Sequence, residues 1–128
     1  MKERTIKALM VEPGRKPCEV VLMNNLDALQ KAVSVGAPEQ GLIEFVYLED
    51  NISILCNEEG KLIGFVPNRR LGNDILCGVF YVVAENDEGE LISLTEAQKE
   101  RYAKMFESPD VIGEDEVEPT VFVRFVAR

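Results

Sequence analysis

The sequence predicts an α+β fold, a mostly antiparallel β-sheet with two helices, in a single domain over residues 1–128. Two observations carry this prediction. Short apolar runs alternate with turn signals along most of the chain, which is typical of antiparallel strands. Two other segments, at about 25–34 and 94–106, carry apolar residues at helical spacing behind capping residues.

A β-hairpin is predicted at the start of the chain. The run TIKALMVE over residues 5–12 ends at a Pro-Gly step, and CEVVLM over residues 18–23 follows Pro17. Both runs are apolar and bounded by turn residues, as strands are. The connecting loop, PGRKP, is basic and should be exposed.

The first helix is predicted over residues 25–34. Asn24 or Asn25 can cap its amino end, and Asp27 suits the first turn because a carboxylate there opposes the positive end of the helix dipole. Its apolar face consists of Leu26, Leu29 and Val33.

The middle of the chain is rich in strand signals. Strands are predicted over residues 42–50 and 52–56, and LIGFV at 62–66 is expected to pair back across the NEEGK turn. DILCGVFYVVAE over residues 74–85 is the most apolar β-rich run, so we predict one central strand there. Gly78 within it allows a bulge or a close approach.

The second helix is predicted over residues 94–106, because Ser93 and Glu96 stand at capping-box spacing before an amphipathic run. Residues 107–119 should form a mobile acidic loop, and the alternating TVFVRFVAR predicts a terminal strand at 120–127. We expect both helices to pack on one face of the sheet.

The charge of the chain is strongly acidic, with 23 acids against 14 bases and a net charge of −9. Binding to a phosphate backbone needs a dense basic face, so direct nucleic-acid binding is disfavoured. The acidic excess either keeps the protein soluble or meets a basic partner. Six of the acids lie in residues 107–118, which we call the acidic segment.

The three cysteines, Cys18, Cys56 and Cys77, are odd in number and form no C-x-x-C pair. This argues against a secreted disulfide framework and favours a cytoplasmic location. Cys56 and Cys77 lie in apolar runs, where core packing is expected rather than a reactive thiol. The apolar run near the start ends too early to span a bilayer, so no membrane association is expected.

Several chemistries are excluded by composition. The chain has no histidine, which removes Ser-His and Cys-His nucleophilic sites and imidazole metal ligands. Neither standard phosphate-binding loop occurs. Calcium-binding loops with Gly60 or Gly89 at the sixth position are excluded. Leu55 or Ala84 would then occupy the first position, where a carboxylate is required. We therefore predict no catalytic residue, no metal and no cofactor, and an enzyme is the least supported class.

Four segments together resemble a known family: IKALMVEPGRKP, NNLDALQKAV, ILCNEEGKLIGFVPNR and DILCGVFYVV. In this order, over about residues 6–106, they are similar to the bacterial and phage family called domain of unknown function 3846. The resemblance implies that Asn57–Gly60 and Pro67–Arg69 belong to the family pattern. It also implies a small accessory or regulatory protein of a bacterium, phage or mobile element, and it carries over no catalytic residues.

The best candidate site lies in the stretch PNRRLGND, where Pro67 and the Gly72-Asn73 step predict a loop between two buried strands. Asn68, Arg69 and Arg70 are its candidate binding residues, because a guanidinium fork binds carboxylate or phosphate through two parallel hydrogen bonds. The alternatives are an internal ion pair with one of the many acids and a solvated loop.

The function that fits these observations is a non-enzymatic interaction or regulatory module. Its partner would be a protein, bound through the 67–74 loop or the acidic segment. The alternative is a sensor for an anionic metabolite or nucleotide, held by Asn68 and Arg69 with Tyr47 or Tyr81 stacked nearby. The oligomeric state is open, because the terminal strand at 120–127 can either close the sheet or pair with a second copy.

Overall fold

A computed structural model describes residues 3–61, 63–113 and 116–117 of the chain. It contains eight strands and two helices within those residues. Their bounds are β1 Thr5–Val11, β2 Cys18–Met23, α1 Leu26–Ala32, β3 Ile43–Glu49, β4 Ile52–Asn57, β5 Pro67–Leu71, β6 Asp74–Cys77, β7 Phe80–Glu85, β8 Leu91–Ile92 and α2 Glu96–Met105.

The main sheet has the strand order β2-β1-β7-β4-β3, with β8 paired to β7, and every pairing is antiparallel. Strands β5 and β6 form a separate two-stranded sheet. Leu76 of β6 belongs to the same buried cluster as Ile54 and Phe80 of the main sheet. The predicted α+β fold with a mostly antiparallel sheet and two helices is confirmed.

The two helices pack on opposite faces of the main sheet, so the expectation that they share one face is wrong. Leu29 of α1 and its C-cap residue Val33 belong to the same buried cluster as Ile6 of β1. Tyr102 of α2 belongs to a second buried cluster, which contains Leu9 of the same strand. Successive strand residues point to opposite faces. Because the central strands carry apolar residues at both alternating positions, both faces need a cover.

The first helix begins as predicted, with Asn25 as its capping residue. The Asn25 side-chain oxygen accepts a hydrogen bond of 2.8 Å from the Ala28 backbone N–H, and Asp27 lies in the first turn. Of the two capping candidates, Asn24 and Asn25, the helix therefore uses Asn25.

The second helix begins two residues later than the predicted capping box. The reciprocal hydrogen bonds join Thr95 and Gln98, at 3.1 and 2.9 Å, so Ser93 and Glu96 are not the box. Ser93 instead accepts a hydrogen bond of 2.9 Å from the backbone N–H of Lys7. This contact holds Ser93 against β1 and outside the helix.

The stretch from 63 to 85 differs most from the prediction. Residues 63–66 form a turn and an irregular connection rather than a strand, and Pro67–Leu71 is strand β5 rather than a loop. The single strand predicted over 74–85 is two strands, β6 and β7. They separate at Gly78, whose φ of +80° redirects the chain and whose Cα approaches the Phe65 ring too closely for a side chain.

Residues 107–113 of the acidic segment contain neither helix nor strand. The predicted terminal strand at 120–127 lies outside the described residues. Among the described residues, no helix is both long and apolar enough to cross a membrane.

Candidate binding site

Asn68 is a structural residue at the start of β5. Its side chain is fully buried, and its Nδ2 donates hydrogen bonds of 2.8 Å to the backbone oxygens of both Val11 and Gly78. These two bonds tie β5 to the end of β1 and to the break between β6 and β7. Both amide hydrogens are therefore used within the fold.

Arg69 is also buried, at 1 % exposure, and all its donors face neutral acceptors. Its guanidinium donates to the Phe106 backbone oxygen from Nε at 3.2 Å and from Nη2 at 2.9 Å. Nη2 also donates to the Arg15 backbone oxygen at 2.5 Å, and Nη1 donates to Oδ1 of Asn68 at 2.7 Å. We call this cluster of Asn68, Arg69 and the carbonyl groups around them the β5 junction.

The β5 junction places a positive charge at the carboxyl end of α2. Phe106 is the C-cap residue of that helix, where the helix dipole is negative and carbonyl groups lack partners within the helix. Burial lowers the pKa of the Arg69 guanidinium, and the nearby Asp110 carboxylate acts in the opposite direction. Of the alternatives left open by the sequence, an internal role fits, with carbonyl groups rather than a carboxylate as direct partners.

Arg70 points the other way, toward the acidic segment. Its guanidinium lies 2.7 Å from Oε1 of Glu116, with both side chains partly exposed. Its backbone N–H donates a 2.8 Å hydrogen bond to Oδ2 of Asp110. A hydrogen bond from the Gly113 backbone N–H, together with Arg70, lowers the pKa of Glu116. Arg70 therefore fastens Asp110 and Glu116 to β5.

The two tyrosines considered for the sensor hypothesis lie on the face of the main sheet opposite to Arg69. Tyr81 packs on the α1 side and donates a 3.0 Å hydrogen bond to the Ala32 backbone oxygen. Tyr47 is 67 % exposed on β3. Arg69 lies at the end of α2, on the opposite face, so no single site contains Arg69 and Tyr81 together.

A cleft opens where the β5–β6 hairpin meets the end of the β3–β4 hairpin. It has a volume of about 640 Å³ and is walled by β3, β4, the 57–61 turn and β6. We call it the acidic cleft, and its charged and thiol-bearing lining residues are Glu44, Cys56, Glu58, Glu59, Lys61, Asp74 and Cys77.

Four carboxylates and one ammonium group line the acidic cleft. The ammonium of Lys61 pairs with Asp74. Burial raises the pKa of Asp74, but the hydrogen bonds from Lys61 and from the Ile75 N–H outweigh it and the net shift is downward. Within the described residues, the other three carboxylates make no ion pair. The cleft is therefore suited to a cation.

The two thiols of the acidic cleft are poor nucleophiles. Burial, and secondarily the Glu44 carboxylate 3.9 Å from its sulfur, raises the pKa of Cys56 to about 12. Burial also raises the pKa of Cys77. Both thiols are thus protonated at neutral pH, which fits the core packing predicted for them.

Sequence reasoning missed the acidic cleft because its walls come from separate parts of the chain. The sequence pattern places Glu58 and Glu59 in an exposed turn, with only weak support for a carboxylate pair in acid–base chemistry, and it places Asp74 at the start of a strand. The available signal was the acid-rich NEEGK turn beside an apolar strand. No group of three or more Cys, Asp or Glu side chains in the described ranges is arranged to hold a metal ion.

The fold and the cleft define a small α+β domain with an acidic surface recess and a closed polar junction. The chain belongs to the family described as domain of unknown function (DUF3846), whose family model matches residues 6–107. The match covers the helices, both sheets and every residue of the acidic cleft. No curated protein and no solved structure matches the chain.

Proposed function

We propose that the protein is a non-enzymatic interaction module that binds a basic group of a protein partner in the acidic cleft. Its setting would be the cytoplasm of a bacterium, or of the host of a phage or mobile element, as the family resemblance implies. The observation that carries the proposal is the set of four carboxylates facing one ammonium group in a recess of about 640 Å³.

The charge arrangement supports a guanidinium or ammonium ligand. Glu58 and Glu59 are exposed at the mouth, whereas Cys56 and Cys77 form an apolar floor. A carboxylate can accept two parallel hydrogen bonds from an arginine side chain, and attraction is stronger in a recess than on an open surface. An arginine or lysine of the partner could therefore lie with its stem on the floor and its charge at the mouth.

The two surfaces predicted from sequence take different parts in this proposal. The 67–74 segment contributes Asp74 to the cleft, while Asn68 and Arg69 support the fold behind it. Arg70 is the candidate binding residue that remains exposed, so an acidic group of the partner would compete with Glu116 for it. Asp110 and Glu116 lie beside this contact and would extend the negative surface.

The test is a titration of the ¹⁵N-labelled protein with an acetylated, amidated hexa-arginine peptide, followed by NMR. Chemical shifts are expected to change first around the cleft, at residues 57–61 and 74–77. The double variant Glu58→Gln, Glu59→Gln should weaken binding severalfold because two mouth charges are removed. Higher salt should weaken binding by the wild type more than by the variant.

The matched control is Asp87→Asn, Glu88→Gln, which removes the same charge from the exposed turn between β7 and β8. It should bind the peptide like the wild type. Equal weakening by both double variants would show a response to net charge alone and would contradict the cleft proposal.

A small-molecule sensor is the second candidate, favoured by the volume of the cleft, which lies within the range of ligand pockets. The four carboxylates select an organic cation over the anionic metabolite considered from the sequence. Spermidine can replace the peptide in the same titration. Tighter binding of spermidine than of the peptide would favour the sensor.

A further inference from the structure

A second, smaller pocket adjoins the acidic cleft. Its volume is about 140 Å³, and Asn57 and Glu59 line both spaces. The loop at residues 37–41 and Ile63 complete its wall. We call it the side pocket. Because the two spaces share wall residues, a ligand held in the cleft has its neighbouring groups beside the side pocket.

The wall between the two spaces is fixed by hydrogen bonds. Asn57 is 6 % exposed, and its Oδ1 accepts a 2.8 Å hydrogen bond from the Glu59 backbone N–H. Its Nδ2 donates to the Val33 backbone oxygen at 3.3 Å and to Oγ of Ser34 at 3.4 Å. The same Oγ accepts a 2.9 Å hydrogen bond from the Gly41 backbone N–H. The side pocket is therefore shaped before any ligand binds.

The side pocket differs from the cleft in its chemistry. Its apolar wall consists of Ala37, Pro38 and Ile63, of which Ile63 is 40 % exposed. Its charged lining residues are Glu39 and Glu59, both exposed, and no base is among the described residues that line it. An apolar cavity of about 150 Å³ can hold a benzene molecule, so a volume of about 140 Å³ suits one aliphatic side chain.

We propose that the partner is recognised through two nearby side chains, an inference that rests on the proposed function. An arginine or lysine lies in the acidic cleft, and an aliphatic side chain one or two positions away lies in the side pocket. In an extended segment, side chains two positions apart share one face at a separation of about 7 Å. An acidic residue at the second position is disfavoured, because Glu39 and Glu59 would repel it.

The experiment compares two acetylated, amidated peptides, Val-Val-Arg-Val-Val and Thr-Thr-Arg-Thr-Thr, titrated into the ¹⁵N-labelled protein and followed by NMR. Valine and threonine have the same shape, so the peptides differ in apolar surface and not in charge. Both should shift the cleft amides at 57–61 and 74–77. The valine peptide should also shift residues 37–41 and 63, and should bind at least about threefold more tightly because it buries more apolar surface.

A variant that fills the side pocket isolates its contribution. Ala37 lines the side pocket but not the cleft, so Ala37→Leu should reduce the affinity for the valine peptide to that for the threonine peptide. Affinity for the threonine peptide should not change. The matched control is Ala97→Leu on the exposed surface of α2, which should bind both peptides like the wild type.

Intermolecular NOEs between the valine methyl groups and Ile63 are expected in the wild type and need no variant. Equal affinities of the two peptides, with no shift at residues 37–41, would overturn the inference and leave the cleft proposal intact. Valine NOEs to the exposed ring of Phe45 in place of Ile63 would overturn it as well. If neither peptide nor hexa-arginine shifts the cleft amides, the cleft proposal fails and this inference fails with it.

Discussion

The β5 junction and the acidic cleft lie on either side of one small hairpin, and they use polar groups in opposite ways. In the junction, the donors of Asn68 and Arg69 all meet acceptors of the chain itself. In the cleft, four carboxylates stand against one ammonium group, that of Lys61, which pairs with Asp74. Buried donors and acceptors that are paired within the chain stabilise the fold, whereas charged groups left facing solvent can still bind.

Among the substitutions that test this comparison, replacement of Arg69 should have the largest effect on the free energy of unfolding. Arg69→Met fills a similar volume but leaves the backbone oxygens of Phe106 and Arg15 without their buried donor. The free energy of unfolding should fall by about 3 kcal/mol or more. Urea denaturation measures it. A loss below about 1 kcal/mol would break the comparison, since the junction would then not stabilise the fold.

Alkaline pH should destabilise the protein through the floor of the acidic cleft. Cys56 has a pKa of about 12 in the folded chain against an ordinary value of 9.0. The unfolded chain therefore loses this proton first, so the contribution of this thiol to stability is fully present only well below pH 9 and is lost as the pH rises through 9 toward about 12. Burial also raises the pKa of Tyr81 to about 12, which adds to the loss from pH 10 upward.

The contribution of Cys56 can be isolated by substitution. In Cys56→Ala, stability measured by denaturation should fall less steeply between pH 9 and 10 than in the wild type, and the Tyr81 contribution cancels because both proteins share it. Cys18→Ala is the matched control, because Cys18 is exposed, and should follow the wild type. Identical slopes in all three proteins would contradict burial of the Cys56 thiol.

Replacing Arg70 gives the smallest expected effect. Arg70→Met removes the partly exposed pair with Glu116, and such pairs contribute about 1 kcal/mol or less. The same urea experiment should show a loss within that limit, and high salt should reduce the difference from wild type. A loss as large as that of Arg69→Met would erase the distinction between the neighbouring arginines.

The elements that sequence predicts well are those fixed by local signals. The capping of α1 by Asn25 depends on a hydrogen bond to a residue three positions away. The start of α2 was misplaced because two residue pairs, Ser93 with Glu96 and Thr95 with Gln98, have the same spacing. A contact with distant Lys7 decides between them.

The elements that sequence predicts poorly depend on partners far along the chain. Arg69 has acceptors 37 and 54 residues away, at Phe106 and Arg15, so its burial has no local pattern. The placement of the helices on opposite faces, in contrast, could have been predicted from the sequence. FYVVAE in β7 is apolar at successive positions, which is typical of a strand buried on both faces.

The position of β7 between two hairpins has a consequence for the order of folding. Hairpins β1–β2 and β3–β4 each connect neighbouring segments, and in the ladder of the main sheet β7 lies between them. Its Val82 pairs with Leu9 of β1 on one side and with Ile54 of β4 on the other. During synthesis both hairpins emerge from the ribosome before β7 does. Their inner edges and apolar faces therefore stay unpaired until β7 has emerged, and only then can the sheet close in one cooperative step.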